Sequence, residues 1–310
     1  MGRRNNKGTP IHGWMVIDKP LGMSSAKVVA EVKYKTGAAK VGHGGTLDPL
    51  ATGLLPIALG EATKTSAWAM DGSKTYTFVI HWGRSTTTED AEGDVVETSD
   101  VRPSPAQTEA ALVHFIGDIE QMPPAFSALK IDGERAYKKA RRGEKVELKS
   151  RTVTIRSLKV LKYIDNDHTE FEAECGKGTY IRSLARDIAV AVGTVGHVSE
   201  LRRTAVGPFS EKDAISLDSL ESLGHSAPPG EIVLPIETVL DDIPALALTE
   251  QEARRLRQGQ AIPALPVATR SPLTDFNLDE IVCAMTGERL VALVKVTGGE
   301  IRPVRVMNLS

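Results

Sequence analysis

Residues 41–56 read Val41-Gly42-His43-Gly44-Gly45-Thr46-Leu47-Asp48-Pro49-Leu50-Ala51-Thr52-Gly53-Leu54-Leu55-Pro56. The stretch follows neither the two-residue nor the 3.6-residue period, so it reads as a long loop punctuated by glycine and proline. At its centre Asp48 precedes a proline, which steers it toward extended or turn geometry. Leu47, Pro49 and Leu50 flank it with apolar side chains, and a carboxylate held away from water is a better base and nucleophile. Gly44 and Gly45 leave room for a substrate backbone to come close. The same residues also fit a tight surface turn in which Asp48 hydrogen-bonds its own backbone. The glycines do not form a nucleotide loop, because neither a P-loop Lys-Ser/Thr pair nor a dinucleotide fingerprint accompanies them.

Upstream, Trp14-Met15-Val16-Ile17-Asp18 predicts a short buried strand, stopped by Lys19-Pro20-Leu21-Gly22. Ser24 or Ser25 then caps a helix over 26–35, where Val28, Val29 and Val32 fall at helical spacing. Downstream, strict alternation over 75–82 puts Tyr76, Phe78, Ile80 and Trp82 on one face of a strand. An amphipathic helix is expected over 107–116, a short exposed helix over 134–142, and strands over 153–163 and 170–175. Gly176-Lys177-Gly178 breaks the last of these. Thr179 is the candidate cap of a helix over 180–192 with Ile181, Leu184, Ala185, Ile188 and Val192 as its buried stripe. Pro- and Gly-rich punctuation at 227–230 precedes the segment 234–240. After Pro244 come a helix over 249–257 and several short strands ending at 303–307. A boundary near residue 243 would therefore divide a large unit, 1–243, from a small β-rich one, 244–310. Strands and helices alternate irregularly, so the expected class is α+β with a mixed, mainly antiparallel sheet and flanking helices.

The 310 residues are 41% hydrophobic and 25% charged, ample material for a core. A formal net charge of -2 does not advertise a polyanion partner, which moves attention to local charge. The stretch 127–162 holds twelve Lys and Arg against four acids. Phosphate contacts need such clustering, although a solvated face carries similar runs. Cys175 and Cys283 are far apart and unaccompanied, which suits a reducing cytosol and disfavours a disulfide framework or a cysteine zinc site. No apolar run approaches bilayer length, and the polar first residues lack a signal peptide's apolar stretch, so a cytoplasmic location is expected.

The segment Gly44-Gly45-Thr46-Leu47-Asp48-Pro49 closely resembles the catalytic motif of the TruB family of pseudouridine synthases. Further family-like stretches occur in the expected order: residues 14–20 (WMVIDKP), 60–64 (GEATK), 74–76 (KTY), 123–130 (PPAFSALK), 175–183 (CGKGTYIRS) and 201–204 (LRRT). The resemblance spans about residues 10 to 240, and the C-terminal segment is similar, more weakly, to the PUA-like domains of that family. It implies the pseudouridine-synthase fold and isomerisation of uridine 55 in the T arm of tRNA, with base flipping and without metal or organic cofactor. Nothing in the sequence demands more than a monomer, and no obligatory protein partner is expected. By the same resemblance Asp48 is the catalytic carboxylate, Arg182 pairs with it, and Tyr76 packs against the flipped uracil. His43, Tyr180 and Leu201 contact the substrate nucleotide, and Lys130 touches RNA phosphate or orders a loop. Asp90 is a candidate second partner for Arg182. The alternatives are a non-catalytic tRNA-binding or folding chaperone on the same scaffold, a guide-RNA-directed relative, and a glycosidase. The last needs a second carboxylate near Asp48, which no sequence feature offers.

Overall fold

A computed structural model describes residues 8–127, 129–131, 133–144, 147–222, 232–271 and 280–309. The apolar run at 14–17 is continuous because strand β1 (Gly13–Lys19) is enclosed on both faces. Met15 and Ile17 join one core with Val28, Phe78 and Ile188, whereas Trp14 and Val16 join another with Leu54, Phe209, Leu293 and Met307. A strand buried on two sides has no polar face and so shows no alternation.

The chain continues through α1 (Ser25–Thr36), β2 (Val41–His43), β3 (Thr52–Leu59), α2 (Ser66–Asp71), β4 (Lys74–Trp82), β5 (Arg84–Thr86) and β6 (Val95–Thr98). Then come α3 (Pro105–Leu112), β7 (Gly117–Gln121), the hairpin β8 (Lys130–Ile131) and β9 (Glu134–Arg135), and α4 (Ala136–Arg141). Next are β10 (Arg151–Tyr163), β11 (His168–Cys175), α5 (Ile181–Ala191), β12 (Gly196–Val206), β13 (Phe209–Ser210), β14 (Ala214–Ile215) and α6 (Leu217–Ser222). The strands form a ten-stranded sheet in the order β14-β1-β3-β12-β4-β11-β10-β7, with β2 added to β3 and β13 to β12. Within this sheet, among the described residues, only the β1–β14 and β3–β12 pairs are parallel, which gives the mixed, mainly antiparallel sheet expected of an α+β chain.

Beyond it lie β15 (Ala245–Ala247), α7 (Glu250–Arg257), β16 (Ile262–Pro263), α8 (Ala264–Ala268), β17 (Ile281–Thr286), β18 (Arg289–Thr297) and β19 (Glu300–Val306). These strands make a second sheet ordered β15-β17-β18-β19-β16. It is sewn to the first. Leu293 and Met307 share a core with Trp14 and Phe209, Lys64 Nζ donates to the Val306 carbonyl at 2.7 Å, and Asn308 N donates to Glu61 at 2.7 Å.

The loop expected over 42–56 is shorter than the sequence suggests. β2 takes its start and β3 its end, and β3 escapes notice because Leu54 and Ala58 enter one core while Leu55, Ile57 and Leu59 enter the other. Pro56 sits inside β3 where one flanking ladder is interrupted: β12 pairs with Thr52 and Gly53, and β2 with Ile57 to Leu59. A residue without an N–H is tolerated where no second ladder runs. The carbonyls left over there accept from Arg203 Nε (Leu54, 2.8 Å) and from Gly44 N (Pro56, 2.8 Å). Residues 44–51 emerge from this parting of the sheet.

Helix ends show smaller differences. Ser24 is the residue that caps α1. The helix expected over 107–116 begins at Pro105 behind a Ser104–Gln107 capping box, and residues 113–115 tighten into a 3-10 turn. The exposed helix shrinks to α4 because residues 134–135 pair with 130–131. Thr179 does not cap α5: its hydroxyl donates to the Gly176 carbonyl at 3.1 Å, and the cap position falls to Tyr180. The buried amide of Gln121 accepts from Tyr180 N at 2.8 Å and donates to its carbonyl at 3.1 Å. The punctuation at 227–230 lies outside the described residues.

At Gly53 φ is +94°, and a Cβ there would stand 2.2 Å from the Arg203 carbonyl oxygen. Gly53→Ala is expected to cost at least about 2 kcal/mol of stability. Urea denaturation should show this as a lower midpoint with an unchanged slope.

Candidate active site

The loop carrying Asp48 is fixed through its neighbours. Ser25 Oγ donates to the Leu47 carbonyl at 2.9 Å and accepts from Leu47 N at 2.8 Å. On the other side the Pro49 carbonyl accepts from Gly22 N at 2.8 Å and from Lys19 Nζ at 3.2 Å. Lys19 is fully buried and donates also to the carbonyls of Pro20 and Met23. Desolvation lowers its pKa to about 8, against the opposing pull of the Asp48 charge. With both neighbours pinned, the Asp48 side chain is left 38% exposed.

An apolar enclosure is not what meets that carboxylate. Arg182, on the first turn of α5 and only 4% exposed, places Nη2 2.9 Å from Asp48 Oδ2. Its Nη1 lies 3.5 Å from Asp90 Oδ2, as the candidate pairing anticipated. The guanidinium also donates to the carbonyls of Thr88 (2.8 Å) and Phe126 (2.9 Å). Asp90 is aimed by its own contacts, since Oδ1 accepts from Thr88 Oγ1 and from Glu92 N. The turn that makes this possible holds Glu89 at φ +62°, a conformation a non-glycine residue adopts only under constraint. That constraint is visible: Glu89 pairs with Arg186 at 2.5 Å, and Val198 N donates to its carbonyl at 3.1 Å.

Two cavities meet at this pair. The larger, about 640 Å³, is lined by Asp48, Arg182, Tyr76, Tyr180 and Leu201, with Lys74, Arg151 and Lys177 among its basic residues. The smaller, about 480 Å³, contains His43 together with Ser24, Glu92 and Tyr137. Thr46, Leu47, Asp48 and Arg182 border both and form a common wall. Five of the seven expected site residues therefore share one cavity. His43 stands beyond the wall, and the side chain of Lys130 lies outside what the structure describes.

Burial shapes the titrating groups. It pushes the Tyr76 phenol above its ordinary value, with the nearby Arg203 charge working against it. Burial, reinforced by Arg203, lowers the His43 pKa, and His43 Nδ1 is buried without a hydrogen-bond partner among the described residues. Burial likewise brings Lys74 down to about 8, although it donates to the carbonyls of Met70 and Gly72. The Arg151 guanidinium lies 4.7 Å from the Tyr180 ring centroid, a cation–π contact at the cavity edge.

Several residues of this neighbourhood were not singled out from sequence. Lys19 and Arg203 sit in recognised stretches but drew no role. Arg203 shares the period-two face of Leu201 along β12, a signal available only once 196–206 is seen as a strand. Gly44 differs from its expected use: a Cβ there would stand 2.9 Å from Ala69 Cβ and 3.1 Å from the Trp14 ring. Its bareness serves the protein's own packing.

A mixed sheet of this order defines the pseudouridine-synthase fold. It is shared with the archaeal box H/ACA sRNP Nop10-Cbf5 complex, at 24% identity and a TM-score of 0.73 over 98% of this chain and 92% of that one. It is shared also with an H/ACA RNP bound to a substrate RNA containing 2'-deoxyuridine, at 23% identity and a TM-score of 0.72, covering 98% and 91%. The TruB family pseudouridylate synthase N-terminal domain matches residues 33–181, and the tRNA pseudouridylate synthase B C-terminal domain matches residues 182–241. Proteins named tRNA pseudouridine synthase B from Rhodospirillum rubrum and Caulobacter vibrioides are 54% and 53% identical over 306 and 308 residues, 99% of each chain in both cases. The chain belongs to the TruB family of pseudouridine synthases, which are isomerases. No helix among the described residues is long and apolar enough to cross a membrane.

Removing one side of a buried charge pair leaves the other uncompensated. Arg182→Met is therefore expected to cost about 3–5 kcal/mol in chemical denaturation. Asp48→Asn, which leaves the guanidinium with Asp90 and two carbonyls, should cost within about 1 kcal/mol. His43 supplies a pH dependence. Its folded-state pKa lies below 6.5, so the unfolded chain binds more protons as pH falls through 6.5, and folding is disfavoured there. The stability of the wild type relative to His43→Gln should fall between pH 7.5 and 5.5.

Proposed function

We propose that this chain converts uridine 55 in the T loop of tRNA to pseudouridine, with Asp48 as its single catalytic carboxylate. The observation that carries the proposal is the Asp48–Arg182 pair at the wall of the larger cavity, where Tyr76 and Leu201 also open. In this isomerisation the N1–C1′ bond breaks, a C5–C1′ bond forms, and the C5 proton leaves. Nothing is oxidised and no outside group is consumed. One carboxylate suffices, by addition to C6, by attack at C1′, or by taking a proton from C2′ on a glycal route. A hydrolase would need a second carboxylate to activate water, whereas here water has to be kept out.

Arg182 orients the carboxylate through a charge-assisted hydrogen bond. Tyr76 supplies a buried ring to stack on the extruded uracil, and its oxygen, as the phenolate, takes the C5 proton at the end. Tyr180 and Leu201 complete the pocket, and Arg151 and Lys177 meet phosphate at its mouth. His43, in the adjoining cavity, positions the flipped nucleotide from the other side of the wall. The target lies in a folded stem-loop, so the enzyme has to extrude it, as base-modifying enzymes do. Residues 1–243 act as the catalytic unit, with the basic stretch 127–162, including Lys130, closing over the T arm and 244–310 as a PUA-like appendage. The enzyme works as a cytoplasmic monomer.

The test is tritium release from C5-tritiated uridine in an unmodified tRNA transcript. The wild type should release tritium from the T-loop uridine, and Asp48→Asn should lower the rate about 1,000-fold or more with little change in tRNA binding. Tyr76→Phe and Arg182→Met should also reduce turnover more than binding. Full turnover by Asp48→Asn would refute the catalytic assignment. Tight tRNA binding by a wild type that releases nothing would favour a folding chaperone instead.

A further inference from the structure

Arg203 is among the largest fully buried side chains of the protein, 1% exposed, yet it makes no ion pair among the described residues. Burying a guanidinium away from any carboxylate is costly, and its hydrogen bonds have to offset that cost. Three carbonyls supply them. Nε donates to Leu54 at 2.8 Å, Nη2 to Gly45 at 3.2 Å and Nη1 to Thr46 at 3.4 Å. The first acceptor lies on β3, and the other two lie on the strip that leads directly into Asp48. One planar fork thus ties both banks of the parting from which the Asp48 loop emerges.

The register explains why the arginine reaches so far. On β12, Arg203 is paired with Gly53 of β3 on one side and with Tyr76 of β4 on the other. It therefore sits between the strand that leads away from the Asp48 loop and the residue that faces the uracil. Like Tyr76, it borders the larger cavity. Gly45, at φ +129°, lets the backbone turn its carbonyl toward this fork. The positive charge also works against burial at the Tyr76 phenol, lowering the cost of the phenolate that Tyr76 must become before it can take up a proton.

We propose that Arg203 is a positioning residue for the isomerisation, holding the Gly45–Thr46 backbone so that Asp48 faces the uracil and orienting the Tyr76 hydroxyl beside it. The proposal rests on the function given above. It assigns to Arg203 a part distinct from that of Arg182: Arg182 grips the carboxylate itself, and Arg203 grips the chain that carries it.

The test uses the full chain, single-turnover tritium release and tRNA binding measured separately, and thermal melting as a check on folding. Arg203→Lys keeps the charge, but a single ammonium does not reproduce the fork to three carbonyls. It should lower the single-turnover rate at least about tenfold while tRNA affinity stays within about threefold. Its half-maximal pH should match that of the wild type. Arg203→Met, if it folds, should lose more rate and also shift the half-maximal pH upward, because the phenol loses its neighbouring cation. Where Arg203→Met does not fold, the Arg203→Lys rate and pH profile decide the matter alone. The proposal is overturned if Arg203→Lys retains the wild-type rate, or if its rate and affinity fall together in step with melting temperature. A wild type that releases no tritium, or an active Asp48→Asn, would instead sink the underlying function and be recognised as such.

Discussion

A guanidinium that is 4% exposed has to be answered by negative charge and hydrogen bonds, and around Arg182 three separate segments supply them. The Asp48 loop brings a carboxylate, the turn at 86–90 brings a second carboxylate and the Thr88 carbonyl, and the stretch after β7 brings the Phe126 carbonyl. The next residues of α5 repeat the pattern. Ser183 Oγ donates to the Met122 carbonyl at 2.8 Å, and Arg186 holds both that carbonyl and Glu89. The strained backbone at Glu89 makes sense in this setting: it is where the chain is bent so that Asp90 can look inward. What fixes the Asp48 carboxylate is thus one helix turn, against which otherwise unrelated loops converge.

The two buried arginines of the cleft represent different solutions to the same electrostatic problem. Arg182 is compensated by charge and leaves one carboxylate accessible to a substrate. Arg203 meets carbonyl dipoles and, among the described residues, no carboxylate, and its field reaches Tyr76, His43, Lys19 and Lys74. Burial holds Lys74 in the cavity and Lys19 behind the Asp48 loop near pKa 8, and it makes the Tyr76 phenol resist ionisation against the pull of Arg203, while the carboxylate at the cavity wall is tied by a short ion pair. Such a site can stabilise an anionic nucleotide while keeping its reactive group in one orientation.

Much of this was legible in the chain itself, for reasons that can be named. Strand β4 announced itself through Tyr76, Phe78, Ile80 and Trp82, because its two faces meet different surroundings. The stripe of α5 was legible on the same ground. β3 was not, since a strand with cores on both sides has nothing to alternate, and Pro56 argued against it. Asp48 stood out by motif, but its setting did not, because the residue that faces it comes from 134 positions downstream. Local apolar neighbours suggested a dry pocket, and tertiary structure supplied a guanidinium instead. Arg203 illustrates the other limit. Its role depends on lying between Gly53 and Tyr76 in a sheet, a relation that exists only after three strands have paired.

The core shared by Trp14, Val16, Leu54, Phe209, Leu293 and Met307 joins the two extremes of the chain. A ribosome delivers these residues far apart in time. Residues 13–215 carry the strands of the larger sheet, and until β18 and the residues after β19 have been made, part of one of its apolar faces lacks the side chains that cover it. For that interval the nascent chain displays a flat, sticky surface, the kind that recruits chaperones or adheres to neighbours. β18 and the residues after β19 therefore act as the lid that makes the earlier-formed sheet safe in a crowded solution.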